Sequence, residues 1–152
     1  MFDHERLDVY RVSIEFVTWS YRLAKSLKGV DRHARDQLLR SSQSVPLNIA
    51  EGNGKIPSAE RKRYQRIALG SALESAATID VLAACGAIEP TAASEGKALL
   101  RRVVSMLTRM VSMPTQVREG IEYEYAYAYE YDEPRFPGIN KKSTSPGDKP
   151  KD

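Results

Sequence analysis

A chain of 152 residues that is 41% apolar and 28% charged is long enough for one domain with a true core. No run approaches the roughly 18 apolar residues of a membrane span, so no membrane partner is expected. The net charge of +3 is unevenly spread: residues 1–118 carry 18 Lys and Arg against 12 Asp and Glu, residues 119–152 only 5 against 8. A basic body with an acidic-to-mixed tail permits contact with nucleic acid. The single cysteine, Cys85, excludes an internal disulfide. The polar start MFDHERLDVY lacks the basic-then-apolar pattern of a signal peptide, which leaves the cytoplasm as the expected location.

Hydrophobic periodicity predicts four helices. The first spans residues 7–28, with Leu7, Tyr10, Ile14, Val17, Tyr21 and Ala24 as its stripe and Phe16, Leu23 and Leu27 widening it. Gly29 ends it, and Asp31 offers an N-cap to the next. The second runs from Arg32 to Glu51, with Ala34, Leu38, Ser41, Val45 and Asn48 on one seam and Leu39, Ser42, Pro46 and Ile49 on the adjoining strip. A bend is expected near Pro46. Gly52-Asn53-Gly54 stops this helix, since glycine accepts the left-handed conformation of a helix end.

The third helix starts after Pro57 with Ser58 as N-cap. Its expected seam is Tyr64, Ile67, Ser71, Glu74, Thr78, Val81 and Cys85, and Gly86 closes it. The fourth follows Pro90, with Thr91 as cap and Leu100, Val103, Leu107 and Met110 facing the core; Pro114 ends or kinks it, and a restart could reach Glu119. Short connections between amphipathic helices favour antiparallel neighbours, which predicts an all-α, up-down-up-down four-helix bundle over residues 1–119. Residues 120–152 read as a tail. The alternating EYEYAYAYEY (122–131) has no partner strand, and the remainder, rich in Pro, Gly, Ser and Lys, has the composition of a flexible segment.

Several chemistries can be tested on the residues. Gly52-Asn53-Gly54-Lys55 superficially resembles a phosphate loop, but that loop needs GxxxxGK[ST] between a strand and a helix, and here glycines follow a helix with Ile56 in the hydroxyl position. A bundle metal site wants Glu-x-x-His pairs. The chain has only His4 and His33, neither three residues after a Glu, so no metal and no cofactor is expected. Its serines have no histidine placed as a base. Enzyme chemistry is therefore not expected.

Basic residues are more informative. The segment KIPSAERKRYQR (55–66) holds Lys55, Arg61, Lys62, Arg63 and Arg66 against Glu60 alone. A clustered positive face suffices for phosphate contact, and these five are the predicted nucleic-acid contacts. Arg32, Arg35 and Arg40, and Arg101 and Arg102, would extend it. Separately, Asn48, Glu51, Ser71 and Glu74 lie where the second and third helices would pack across a short turn. They are expected to form a polar cluster that fixes helix register.

The segments Gln37-Leu38, Arg40, Ser44-Val45-Pro46-Leu47-Asn48-Ile49-Ala50-Glu51-Gly52, Gly54-Lys55 and Leu69-Gly70-Ser71-Ala72-Leu73-Glu74, with the opening Leu7-Asp8-Val9-Tyr10, carry a family resemblance. The chain resembles the four-helix-bundle proteins encoded in intervening sequences of bacterial 23S rRNA genes, over about residues 5–112. The resemblance implies a homopentamer with a central channel. A relative of that family, the accessory protein of diversity-generating retroelements, resembles it in fold and charge, binds a reverse transcriptase and engages RNA. The combined expectation is a non-enzymatic homo-oligomer that binds RNA or an RNA-handling protein. The alternatives are a reverse-transcriptase accessory subunit and a purely structural assembly protein.

Overall fold

The computed structural model describes residues 1–56 and 58–113. The Tyr-rich segment, the rest of the tail, the boundary at residue 119 and any helix beyond Pro114 lie outside them. After a short 3-10 turn at Asp3–Arg6 come α1 (Asp8–Ala24), a second turn at Gly29–Asp31, α2 (Arg32–Asn53), α3 (Ser58–Ala84) and α4 (Pro90–Ser112). Each helix packs on the next and α4 returns to α1, closing an up-down-up-down bundle in which α1 and α3 occupy one diagonal. No strand occurs among the described residues.

Local chemistry sets the helix ends. The first helix stops four residues short of its expected end, where Ser26 and Leu27 turn their N–H groups back onto the carbonyls of Leu23 and Ala24. At the end of α3, Gly86 has φ +69° and the Ala87 N–H donates to the Leu82 carbonyl at 2.8 Å. This is the left-handed glycine stop expected at that position. Pro90 sits in the first turn of α4, where a missing N–H costs nothing, and Glu89 rather than Thr91 is the residue before the helix. Pro46 does not interrupt α2, which is continuous from Arg32 to Asn53 although the Ser42 carbonyl loses its usual helical donor.

The core is built on Phe16, Leu27, Leu38, Val45, Ile79, Leu82, Leu100, Val103 and Leu107. The expected inner faces of α2 and α4 match the buried residues closely, but those of α1 and α3 do not. In α1 the buried stripe is Val9, Val12, Phe16 and Trp19, while Ile14 and Tyr21 remain 41% and 47% exposed. In α3 the buried residues are Gln65, Ala68, Ala72, Ser75, Thr78, Ile79 and Leu82, so only Thr78 of the expected seam is enclosed. Both helices offer two competing apolar stripes. Small Ala and Ser side chains let α3 approach its neighbours closely, and packing selects the stripe that does so.

The apolar content of α3 also bears on the expectation that no segment spans a membrane. By length and composition α3 is long and apolar enough to cross a bilayer. In the bundle its inner side is part of the core, with Ala68, Ala72, Ile79 and Leu82 buried. The excess apolar surface lies on the opposite side of the helix.

Candidate nucleic-acid interface and the polar seam

Where α2 faces α3, hydroxyls replace carbon. The Ser41 and Ser75 hydroxyls lie 2.7 Å apart in a buried hydrogen bond. One turn further along α2, the Ser71 hydroxyl donates to Ser44 Oγ at 2.8 Å. Asn48 Nδ2 donates to the same Ser44 Oγ at 3.0 Å and to the Ser44 carbonyl at 2.8 Å. At the other end of the ladder, Gln37 donates to Glu74 and accepts from Arg40. Among the described residues every buried side-chain nitrogen and oxygen has a partner, so the seam is satisfied and fixes which residues of the two helices stand opposite.

Of the four residues placed in one polar cluster, the structure joins Asn48 and Ser71, through Ser44. Glu74 turns to Gln37. Glu51 turns to the α2–α3 turn, with its carboxylate 3.7 Å from the Lys55 ammonium. The missing members, Ser41, Ser44 and Ser75, were readable as hydroxyls at helical spacing on two adjacent helices. Ser75→Ala should cost about 1 kcal/mol, because Ser41 keeps only a 3.3 Å bond to the Leu38 carbonyl. Removing both hydroxyls should cost less than the two single changes added together. Chemical denaturation of the three variants measures this, and strict additivity would mean that the pair does not act as a unit.

The turn itself is set by contact. A Cβ on Gly52 would stand 2.8 Å from the Tyr64 Cβ and 3.3 Å from the Arg61 carbonyl, so only glycine allows α2 and α3 to meet here. Gly54 has φ −79°, in the right-handed region, and the left-handed helix end expected at these glycines is not formed. The Lys55 ammonium sits 5.4 Å from the centre of the Tyr64 ring. The Glu51 carboxylate, as hydrogen-bond partner of the Tyr64 phenol, holds that phenol above its ordinary pKa of 10.0. No phosphate-binding loop is built from this segment.

The five predicted basic contacts do not share one face. Lys55 is engaged with Glu51 and Tyr64. Arg61 donates from Nε and Nη2 to the Lys55 carbonyl at 3.3 and 3.0 Å, tying the turn. Lys62 donates to the Met113 carbonyl at 2.5 Å, at the end of α4. Arg63 and Arg66 are exposed, one turn apart, with no hydrogen-bond or ion-pair partner among the described residues. On α2, Arg35 pairs with Asp36 at 2.8 Å and Arg40 reaches Gln37. Arg101 and Arg102 open instead onto a groove between α4 and α1. Among the described residues no group of three or more His, Cys, Asp or Glu could hold a metal ion.

A hydroxyl-registered, antiparallel four-helix bundle with scattered surface arginines is the class of protein that this fold and site define. The family model described as "23S rRNA-intervening sequence protein" matches residues 5–109, and the chain belongs to that family. A crystal structure from Bacteroides thetaiotaomicron VPI-5482, described as a protein with unknown function from the S23 ribosomal protein family, shares the fold. Its TM-score is 0.65 at 23% identity, covering 69% of this chain and 99% of that one. No curated protein matches the chain.

Proposed function

We propose that this protein is a non-enzymatic, homo-oligomeric binding module that engages RNA or an RNA-handling protein through its basic surface. One observation carries this reading: the outward side of α3. Arg63, Arg66, Gly70, Leu73, Ala77, Val81 and Ala84 follow one another at spacings of three and four, and all are exposed. The first two are arginines without a carboxylate partner among the described residues. The remainder is a strip of small and apolar side chains, with Leu73 53% and Val81 55% exposed. Contiguous apolar surface of this kind marks an association site. The occupant that fits is a second copy of the chain, because the resemblance to the intervening-sequence proteins already implies a ring of identical subunits.

Size exclusion with light scattering, on protein purified without nuclease, tests both halves of the proposal. A defined oligomer carrying nucleic-acid absorbance is the expected result. Leu73→Glu with Val81→Glu should release folded monomers, since charge buried in an interface costs several kcal/mol. RNA affinity should fall by orders of magnitude between about 50 and about 300 mM salt, as counterion release requires. A salt-independent affinity would rule out phosphate contact. A stable oligomer retaining no nucleic acid would leave assembly as the whole function.

A further inference from the structure

The groove between α1 and α4 was not singled out by the sequence, and its lining is rich in arginine. It is an open groove of about 570 Å³ that presents Arg11 from α1 with Arg101, Arg102 and Arg109 from α4. From Gly96 to Met113 the chain contains no Asp or Glu, so the α4 wall is uniformly cationic. Two carboxylates enter from α1. Asp8 stands 3.6 Å from Arg11, whose Nε also donates to the Glu5 carbonyl at 2.9 Å, and Glu15 stands 3.8 Å from Arg102; both ion pairs are well exposed and therefore weak. Arg101 and Arg109 have no hydrogen-bond or ion-pair partner among the described residues. The floor holds Val12 and Met106, and Ser105 adds a hydroxyl between the arginines.

We infer that this groove, rather than the start of α3, is the main track for an RNA phosphate backbone; the inference rests on the RNA-binding reading above. Three features select that ligand. All four cations are arginines, whose planar forks bind phosphate oxygens in pairs and are less costly to desolvate than lysine. Arg101 and Arg109 are eight residues apart, about 12 Å along the helix at 1.5 Å per residue. An extended polyanion with charges recurring along its length spans that distance, whereas a compact anion reaches only one end. The lining also lacks the aromatic centre of a protein-docking site. The groove lies on the edge of α4 away from α3, so the α3 strip is not part of its lining.

Binding of a labelled single-stranded RNA oligomer to the full chain, measured across a salt series, tests the assignment. Arg101→Gln with Arg109→Gln should weaken binding at least tenfold near 100 mM salt and lower the salt slope by about 1.4, at roughly 0.7 per phosphate contact. Arg63→Gln with Arg66→Gln should have the smaller effect. Both pairs are exposed, and unchanged thermal melts would show that folding is intact. The reverse ranking of the two variants would overturn the groove and leave RNA binding itself standing. Competition by polyglutamate as effective as by unlabelled RNA would overturn the phosphate assignment. A wild-type chain that fails to bind RNA at low salt would overturn both the groove and the reading on which it rests.

Discussion

Replacing Gly96 by valine is expected to destabilise the bundle by about 3 kcal/mol, at the upper end of the overpacking range. Gly96 is buried in α4, and a Cβ there would come within 2.6 and 2.7 Å of Cζ2 and Cζ3 of the Trp19 indole. The indole cannot slide away freely, because it also stacks on Phe16 at a centroid distance of 5.6 Å. Alanine is the sharper probe. It gains about 1 kcal/mol in helix propensity over glycine, yet overpacking should outweigh that gain and leave a net loss of about 1–2 kcal/mol. In a Trp19→Leu background the clash disappears, and Gly96→Ala should become neutral or stabilising. A double-mutant cycle by thermal or urea melts reads this change of sign. If alanine stabilises the protein with Trp19 present, the close approach of α1 and α4 is not as described.

Phe16→Ala should cost about 3–5 kcal/mol, the usual penalty for emptying a large aromatic site. Phe16 is fully buried and touches the indole on which the α1–α4 contact depends. Ile14→Ala, two residues earlier and comparably apolar, should cost less than about 1 kcal/mol to the monomer, since Ile14 is already 41% exposed. Measured under conditions that keep the chain monomeric, equal costs would mean that the inner and outer stripes of α1 are misassigned.

That pair of residues shows where the sequence was sufficient and where it was not. Helix number, order and connections followed from apolar periodicity, Gly86 and Pro90, because a bundle of amphipathic helices has few competing layouts. The inner faces of α2 and α4 were readable because each carries one dominant stripe. In α1 a chain of Tyr10, Ile14, Val17 and Tyr21 competes with Val9, Val12, Phe16 and Trp19 at the same spacing. Nothing local distinguishes them. One determinant is Gly96, about eighty residues away, which leaves space for the Trp19 indole where a side chain would collide with it.

The proposed binding surface was harder to read for a different reason. Charge density along residues 55–66 counts lysines and arginines but not what each one does. Three of the five are occupied by the turn and the helix ends, at Glu51, at the Lys55 carbonyl and at the Met113 carbonyl. The groove arginines are split between Arg11 and residues 101–109, separated in sequence by the whole of α2 and α3. Only the closure of α4 onto α1 brings them together. The Ser-Ser seam was partly visible for the opposite reason: its members are neighbours across one short turn.

The outward strips of α1 and α3 have a consequence for symmetry. One self-complementary patch closes a two-fold dimer, whereas a ring with more members requires two different patches that fit each other. The bundle carries two such strips on diagonally placed helices, Ile14 and Tyr21 on α1 and Leu73, Ala77 and Val81 on α3. In the proposed oligomer these partly exposed apolar residues would supply a head and a tail. In a ring built that way the single exposed Cys85, near the end of the α3 strip, would face a neighbour's α1 rather than another thiol. Oxidation would then leave the ring's subunits uncrosslinked, while a two-fold pair meeting through α3 could be joined covalently.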